Sequence, residues 1–362
     1  MNLLKISSSP HLHENVNVKK VMWSVVIALM PALIAAYVFF GWRSIFLTVL
    51  GIITAVVIEA LMQLFMKKPI TVSDGSAVIT GLLLSFNLPP ESPFWFPIIG
   101  SAFAIIIGKQ IFGGLGYNPV NPALLGRAFL MASWPIQMTT GWMTKMAKLG
   151  VSTISGLKIS IISGGNPYLQ NLITSATPLN LAQQIRGDIV EGIAGDSART
   201  VFHSLSSLDY IKNLFWGNIG GCIGEVSAAA LIIGAAFLVY KHYIEWRIPL
   251  SYIGTVAILS WFLGGIDGLF SGPFLFHIFS GGLILGAFFM ATDMVTSPVT
   301  KKGRLIFGIG CGIITVVIRL WGGYPEGVSY SILIMNIAVP LIDRLTPQKP
   351  FGFRKIREDN QK

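Results

Sequence analysis

Apolar residues do not alternate along this chain; they come in blocks. From Val21 to Trp42 there is no charged residue, a run long enough to cross the hydrocarbon core of a bilayer as one helix, with Pro31 as a kink that neighbouring helices accommodate. A second block, Ser44 to Met66, is interrupted by one acid, Glu59, and closed by Lys67-Lys68-Pro69. The interval from Asp74-Gly75-Ser76-Ala77 to Leu88-Pro89-Pro90 is short for a full crossing and rich in small and hydroxyl residues, and it predicts a broken or tightly packed span. Pro93 to Gly108 and Ala123 to Trp134 follow, joined by Lys109 and a Gly-rich turn from Phe112 to Pro122. Between about Pro135 and Phe215 the hydropathy drops and charges of both signs appear, an interval too long to be a plain connection. Five more blocks come after it: about Gly217 to Tyr240, Ile248 to Ile266, Pro273 to Thr292, Leu305 to Trp321 and Gly327 to Ile342. The pattern predicts an all-α polytopic membrane protein with about ten transmembrane segments, some of them broken.

Composition agrees: 53% of residues are hydrophobic and 12% charged, against about 25% charged in soluble domains. The net charge of +10 does not point to nucleic acid, because the lysines and arginines flank the apolar blocks and read as topology signals. With a cytoplasmic N-terminus, the inside ends hold Lys19, Lys20, Lys67, Lys68, Lys109, Lys241, Arg247, Lys301, Lys302, Arg304 and the basic tail, while the short outside loops hold only Arg43. That asymmetry predicts a cytoplasmic segment 1–20, an extracytoplasmic loop 135–215 and a cytoplasmic tail 344–362. The polar start up to Lys20 is too long for the n-region of a signal peptide, so the first span is expected to be retained. Cys222 and Cys311 lie in apolar segments without Cys-x-x-Cys spacing and read as core thiols rather than metal ligands.

Two stretches echo each other. Gly108-Lys109-Gln110-Ile111-Phe112-Gly113-Gly114-Leu115-Gly116-Tyr117 and Ile318-Arg319-Leu320-Trp321-Gly322-Gly323-Tyr324-Pro325 are each a helix end with a basic residue, an aromatic, Gly-Gly and Tyr. Five predicted spans separate them, so one turn faces inward and the other outward, as in an inverted five-plus-five repeat of residues 21–134 and 216–343.

Ionisable residues within apolar blocks are costly and are functional candidates by default. Glu59, Asp74, Arg127, Glu225, Asp267, Asp293 and Arg319 qualify by position, with Asp267, Asp343 and Arg319 read as helix-end or paired groups. The glycines of the Phe112–Pro122 turn would let backbone amides approach an anion or a flavin, but the strand-before, helix-after context of a dinucleotide fingerprint is missing. The five histidines are scattered, and no metal site is expected. In the polar interval, Leu172-Ile173-Thr174-Ser175-Ala176-Thr177-Pro178-Leu179-Asn180 gathers three hydroxyls ahead of a proline. Pro178 pushes Thr177 out of the αR region, which predicts an extended or turned segment with an accessible hydroxyl.

Several of these motifs carry a family resemblance. Thr174-Ser175-Ala176-Thr177-Pro178-Leu179, Asp74-Gly75-Ser76-Ala77, Asn118-Pro119-Val120-Asn121-Pro122-Ala123, Ala291-Thr292-Asp293-Met294-Val295-Thr296-Ser297-Pro298 and Tyr324-Pro325-Glu326-Gly327-Val328 resemble those of the RnfD family, the D-type component of the Rnf complex, a membrane-bound ferredoxin:NAD oxidoreductase that pumps ions. The resemblance runs from His11-Leu12-His13 to Asn336, and extends more distantly to the B-type component of the Na+-translocating NADH:quinone reductase. It implies a urea-transporter-like fold and an electron-transfer subunit carrying FMN, its phosphate esterified to the Thr177 hydroxyl. Ser175, Ala176 and Pro178 complete that motif; Thr174-Ser175 stands where the usual pattern has Ser-Gly. It further implies a second, non-covalent flavin, riboflavin, between the repeats. Asp74, Asn121, Arg127 and Asp293 are the candidates to hold it or to line the path of Na+ or H+, and Arg127 in addition to stabilise an anionic reduced flavin. The implied partners are an FMN-bearing G-type subunit and the A, C and E subunits in a bacterial cytoplasmic membrane, with lipid around them. Three alternatives stay open: a B-type quinone-reductase component, disfavoured by the short N-terminal segment, a urea-transporter-like solute channel gated by the Thr177 interval, and a purely structural docking subunit.

Overall fold

The computed structural model describes residues 16–139, 142, 177–191, 196–217, 219–324 and 326–347, and every regular element among them is helical. In chain order these are α1 (Val18–Phe40), α2 (Trp42–Phe65), α3 (Ser76–Phe86), α4 (Trp95–Ile105), α5 (Pro122–Ser133), α6 (Pro135–Thr139), α7 (Pro178–Val190), α8 (Asp196–Ser204), α9 (Leu208–Trp216), α10 (Ala228–Tyr240), α11 (Arg247–Leu263), α12 (Phe274–Phe279), α13 (Leu283–Leu285), α14 (Lys301–Trp321) and α15 (Val328–Leu345). Two π-helical turns, Ile106–Gln110 and Gly286–Met290, extend α4 and α13. Among the described residues α1, α2, α14 and α15 are long and apolar enough to cross a membrane. Their outer faces are apolar and bare: Ile34, Val38, Ile53, Leu61 and Phe65 are exposed, Phe65 to 84%. A surface of that kind is stable against lipid and not against water.

Close helix approach in lipid depends on small residues. A Cβ on Gly81 of α3 would sit 2.6 Å from Gly51 O and 2.8 Å from Ile52 Cα, so α2 and α3 meet backbone to backbone. α3 is consequently short and nearly all buried, as its small and hydroxyl residues predict. Gly41, at φ 85°, is the single residue between α1 and α2 and takes a left-handed conformation that favours glycine.

Two predicted blocks are not continuous helices. Ile219 to Ser227 is irregular, and α10 starts only at Ala228. The reason lies in α3, whose last carbonyls have no helical partner: Ile223 N–H donates to Leu88 O at 3.0 Å and Gly224 N–H to Phe86 O at 2.9 Å. The Pro273–Thr292 block breaks at Ser280-Gly281-Gly282, where Gly281 has φ 65°. Lys109, assigned to a cytoplasmic helix end by its charge, is instead buried to 2% exposure. Its ammonium donates to Glu59 Oε1 (2.7 Å) and Oε2 (2.8 Å) and to Ser76 Oγ (2.6 Å). A positive end-of-block residue looks the same in sequence whether it faces water or an acid fifty residues away.

The helices before and after the polar interval pack against each other in opposite directions. At the start of α5 the Asn121 N–H donates at 3.1 Å to the Asn336 side chain in the middle of α15, with the Asn336 amide oriented by its hydrogen-bond network. Further along α5, Arg127 ion-pairs with Glu326 just before α15 begins. In the same way a Cβ on Gly234 of α10 would reach 1.9 Å from Ala28 O of α1. The polar interval builds a small core of its own. Leu179, Ala182, Ile185, Phe202, Leu205, Tyr210 and Leu214 of α7 to α9 close over Phe276 of α12. Burial raises the Tyr210 phenol above its ordinary pKa.

Candidate functional site

Thr177 is the N-cap of α7. Its backbone is extended (φ −66°, ψ 155°), as a residue before proline must be, and its Oγ1 accepts from Asn180 N–H at 3.3 Å. The expectation of a segment without helix fails one residue later, because Pro178 at the first helical position has no N–H to lose and a φ already suited to the helix. Nor does the hydroxyl stand free at the surface. Thr177 is 9% exposed, and it faces a cavity of ≈ 20 Å³ shared with Leu179, Gly220, Gly221, Glu225, Gly281 and Glu326. Ser175 and Ala176 lie outside the described residues.

α7 is pinned to the membrane helices by its polar face. Arg186 Nη1 donates to Leu320 O at 3.2 Å and Nη2 to Leu263 O at 3.0 Å, near the C-termini of α14 and α11, and the guanidinium stands 5.7 Å from the Trp321 ring. Gln183 Nε2 donates to Gly322 O. Orphan carbonyls at helix C-termini are where a cation binds best. Partial burial lowers the Arg186 pKa from its ordinary value.

Behind the Thr177 cavity lies a buried charged cluster. Arg127 Nη1 donates to Asn87 Oδ1 at 2.6 Å and stands 3.8 Å from Glu225 Oε1, while Nη2 pairs with Glu326. Cys222 Sγ donates to Asn87 O at 3.4 Å. Arg127 thus contacts both carboxylates that line the Thr177 cavity. Sequence position flagged Glu225 only as one ionisable residue among seven, and Glu326 appeared only within a motif; the spacing of three separate segments gave no signal that they meet.

A second cavity, of ≈ 100 Å³, opens between helices from before and after the polar interval and is lined by Lys109, Asn118, Asn121, Phe289 and Asp293 among others. Asn121 caps α5, accepting from Ala123 N–H (3.0 Å) and Leu124 N–H (3.3 Å), and donates to Met290 O at 3.3 Å. Asp293 accepts from Thr296 Oγ1 at 3.1 Å and Val295 N–H at 3.4 Å. Asp74 stands behind the wall, accepting from Ser76 Oγ at 2.6 Å and Ser76 N–H at 2.8 Å. The four candidates for a second flavin or ion path therefore divide. Asn121 and Asp293 share the cleft, Asp74 supports it through Ser76, and Arg127 belongs to the Thr177 cluster. The division follows from α5 itself, since six residues of helix carry Arg127 about 9 Å from Asn121 and onto another face.

The helices and the apolar outer surface define an integral membrane protein, and its buried ionisable groups are candidates for its working parts. The sequence profile of the NQR2, RnfD, RnfE family matches residues 5–352, and the chain belongs to that family. It is 46% identical over 355 residues, 98% of both chains, to the D-type component of the proton-translocating ferredoxin:NAD(+) oxidoreductase complex of Clostridium ljungdahlii. It is also 46% identical over 356 residues, again 98% of both, to the D-type component of the Na(+)-translocating ferredoxin:NAD(+) oxidoreductase complex of Acetobacterium woodii. Identity to the D-type component of the ion-translocating oxidoreductase complex of Sodalis glossinidius is 36% over 361 residues, 97% of this chain and 99% of that one.

Proposed function

We propose that this chain is the membrane-embedded electron-transfer subunit of an ion-translocating ferredoxin:NAD+ oxidoreductase, with FMN esterified through its phosphate to Thr177. The names of the relatives support the complex and the reaction. The observation that carries the flavin reading is the place of the Thr177 hydroxyl: at the N-terminus of a thirteen-residue helix, facing a cavity and held against the membrane domain. A helix N-terminus favours a phosphate through its free N–H groups and dipole. Gly220, Gly221 and Gly281 line that cavity, and the space beside Gly221 is open, since a Cβ there would meet nothing within 4 Å. When bound, FMN supplies the one- and two-electron chemistry that no side chain can. The residues of the chain do the rest. Arg186 and Gln183 fix α7, Thr177 sets where the cofactor is tethered, and Arg127 keeps positive charge beside two carboxylates near that tether. Tethering also removes the entropic cost of recapture in each turnover.

The finer architecture belongs to the same reading. The antiparallel packing of α1 on α10 and of α5 on α15 supports an inverted repeat of residues 21–134 and 216–343, with 135–215 as the extracytoplasmic link and both termini, 1–20 and 344–362, cytoplasmic. The basic ends of α4 and α14 support it too: Lys109 and Arg319 are both buried, and each reaches a broken element of its own half. In this reading the apolar blocks make ten crossings, short ones included. Riboflavin occupies the cleft of Asn121 and Asp293, and a G-type flavoprotein partner delivers electrons from the extracytoplasmic side, with the A, C and E subunits completing the complex. Mass spectrometry of the peptide spanning Thr177, from a host that has the flavin transferase, tests the proposal. An adduct of FMN mass, absent in Thr177→Ala along with in-gel flavin fluorescence, is expected; an unmodified wild-type peptide sinks it.

A further inference from the structure

Glu225 and Glu326 both reach the cavity beside Thr177. Together with Cys222, their side-chain ligand atoms lie within 4.8 Å of one another. Among the described cations, only Arg127 makes ion-pair contact with these carboxylates. Arg319, the other buried guanidinium nearby, donates from Nη1 to His277 O (2.5 Å) and from Nη2 to Ser280 O (3.1 Å). Arg127 is thus the cation in ion-pair contact with both carboxylates, with the Arg319 guanidinium beside the same Gly281 turn, and Glu225 is the less fully met of the two acids. Its Oε1 is buried, accepts no hydrogen bond, and at 3.8 Å from Arg127 Nη1 is out of hydrogen-bond reach. A charged oxygen buried in this way is costly unless something positive meets it.

The backbone comes close to the two acids at a pair of glycines. A Cβ on Gly282 would lie 2.5 Å from Glu225 Oε1, and one on Gly281, already at φ 65°, would lie 3.5 Å from Glu326 Oε1. Ser280 Oγ, on the same turn, is also buried without a hydrogen bond. The donors on offer are hard oxygens, which suit Na+ rather than a soft metal, and the one thiol is turned to Asn87 O. A cavity of ≈ 20 Å³ holds about one water-sized particle. That fits a single ion stripped of most of its water better than Mg2+, which keeps several of its waters.

We propose that Glu225 and Glu326 form a binding site for one Na+-sized monovalent cation at the wall of the Thr177 cavity, with Arg127 committed to Glu326 and Asn87. Its meaning for coupling rests on the flavin reading of Thr177: a cation next to the tether binds more tightly when negative charge arrives there, and by linkage the bound cation favours that charge. The site itself belongs to the carboxylates.

The test uses the full-length chain in detergent, melted over a range of Na+ concentrations with choline replacing Na+ at constant ionic strength. A saturable Na+-specific rise in melting temperature is expected, since a ligand bound by the folded state alone stabilises it. The rise should be lost in Glu225→Gln and moved to higher Na+ in Glu225→Asp, whose shorter side chain pulls the oxygen back. No rise over choline, or one that Glu225→Gln keeps, overturns the proposal. Should Glu225→Gln fail to fold, an unchanged midpoint in Glu225→Asp overturns it instead. In-gel flavin fluorescence is read on the same samples. A Na+ shift without a flavin band leaves the cation site standing and removes the flavin reading; a flavin band without the shift does the reverse.

Discussion

Replacing Arg186 by alanine removes the strap that holds α7, and Thr177 at its head, to the membrane helices. Two charge-assisted hydrogen bonds go, to Leu320 O at 3.2 Å and Leu263 O at 3.0 Å, together with the contact to the Trp321 ring. Hydrogen bonds to charged groups are worth about 1.5–3 kcal/mol each, and a cation at a helix C-terminus adds about 0.3–1 kcal/mol. Arg186 is only half-buried, so solvent screening trims the sum, and the lost bonds are partly replaced by water. A net loss of about 3 kcal/mol in the docking of α7 is the expectation, which raises the undocked population about 100-fold. Amide hydrogen exchange of the peptide covering Pro178–Val190 reads that population, because local opening governs exchange there. Exchange in α7 should accelerate by about two orders of magnitude while α2, which Arg186 does not touch, keeps its protection. Unchanged exchange in α7 would show that the apolar core around Phe276 holds the helix unaided. A lysine at 186 should rescue little, since one ammonium cannot fork to two carbonyls.

Other outcomes follow from buried groups. Glu59→Gln or Lys109→Met alone leaves a charge buried without its partner and should cost about 3–5 kcal/mol, whereas the double replacement should recover most of it; melting of the purified chain separates the two, and additive losses would refute the pairing. Gly234→Ala should separate α1 from α10, because its Cβ would stand 1.9 Å from Ala28 O, at about 1–3 kcal/mol. Gly254→Ala, whose Cβ meets nothing within 4 Å, is the matched control and should melt as the parent does.

The membrane character of the chain was legible in sequence because lipid imposes its demand residue by residue: every exposed position of a spanning helix must be apolar, over about twenty positions. The blocks that became α1, α2, α14 and α15 were therefore visible as composition. The local geometry at Thr177-Pro178 was readable too, since proline constrains its neighbour through covalent structure alone, although the same argument missed that Pro178 starts a helix. What composition cannot encode is which groups meet. The block from Gly217 to Tyr240 reads as one span, but Ile223 and Gly224 use their N–H groups on the end of α3, and the break at Gly281-Gly282 brings backbone close to Glu225 and Glu326 from other segments. Lys109 has the sequence context of a topology marker, yet in the fold it pairs with Glu59. Thr177, Arg127, Glu225 and Glu326 come together from four regions of the chain, and partners so far apart in sequence are selected by packing. The sequence by itself determined the solvent each helix lives in and the extended backbone at Thr177; only the tertiary structure decided which charges share a cavity with its hydroxyl.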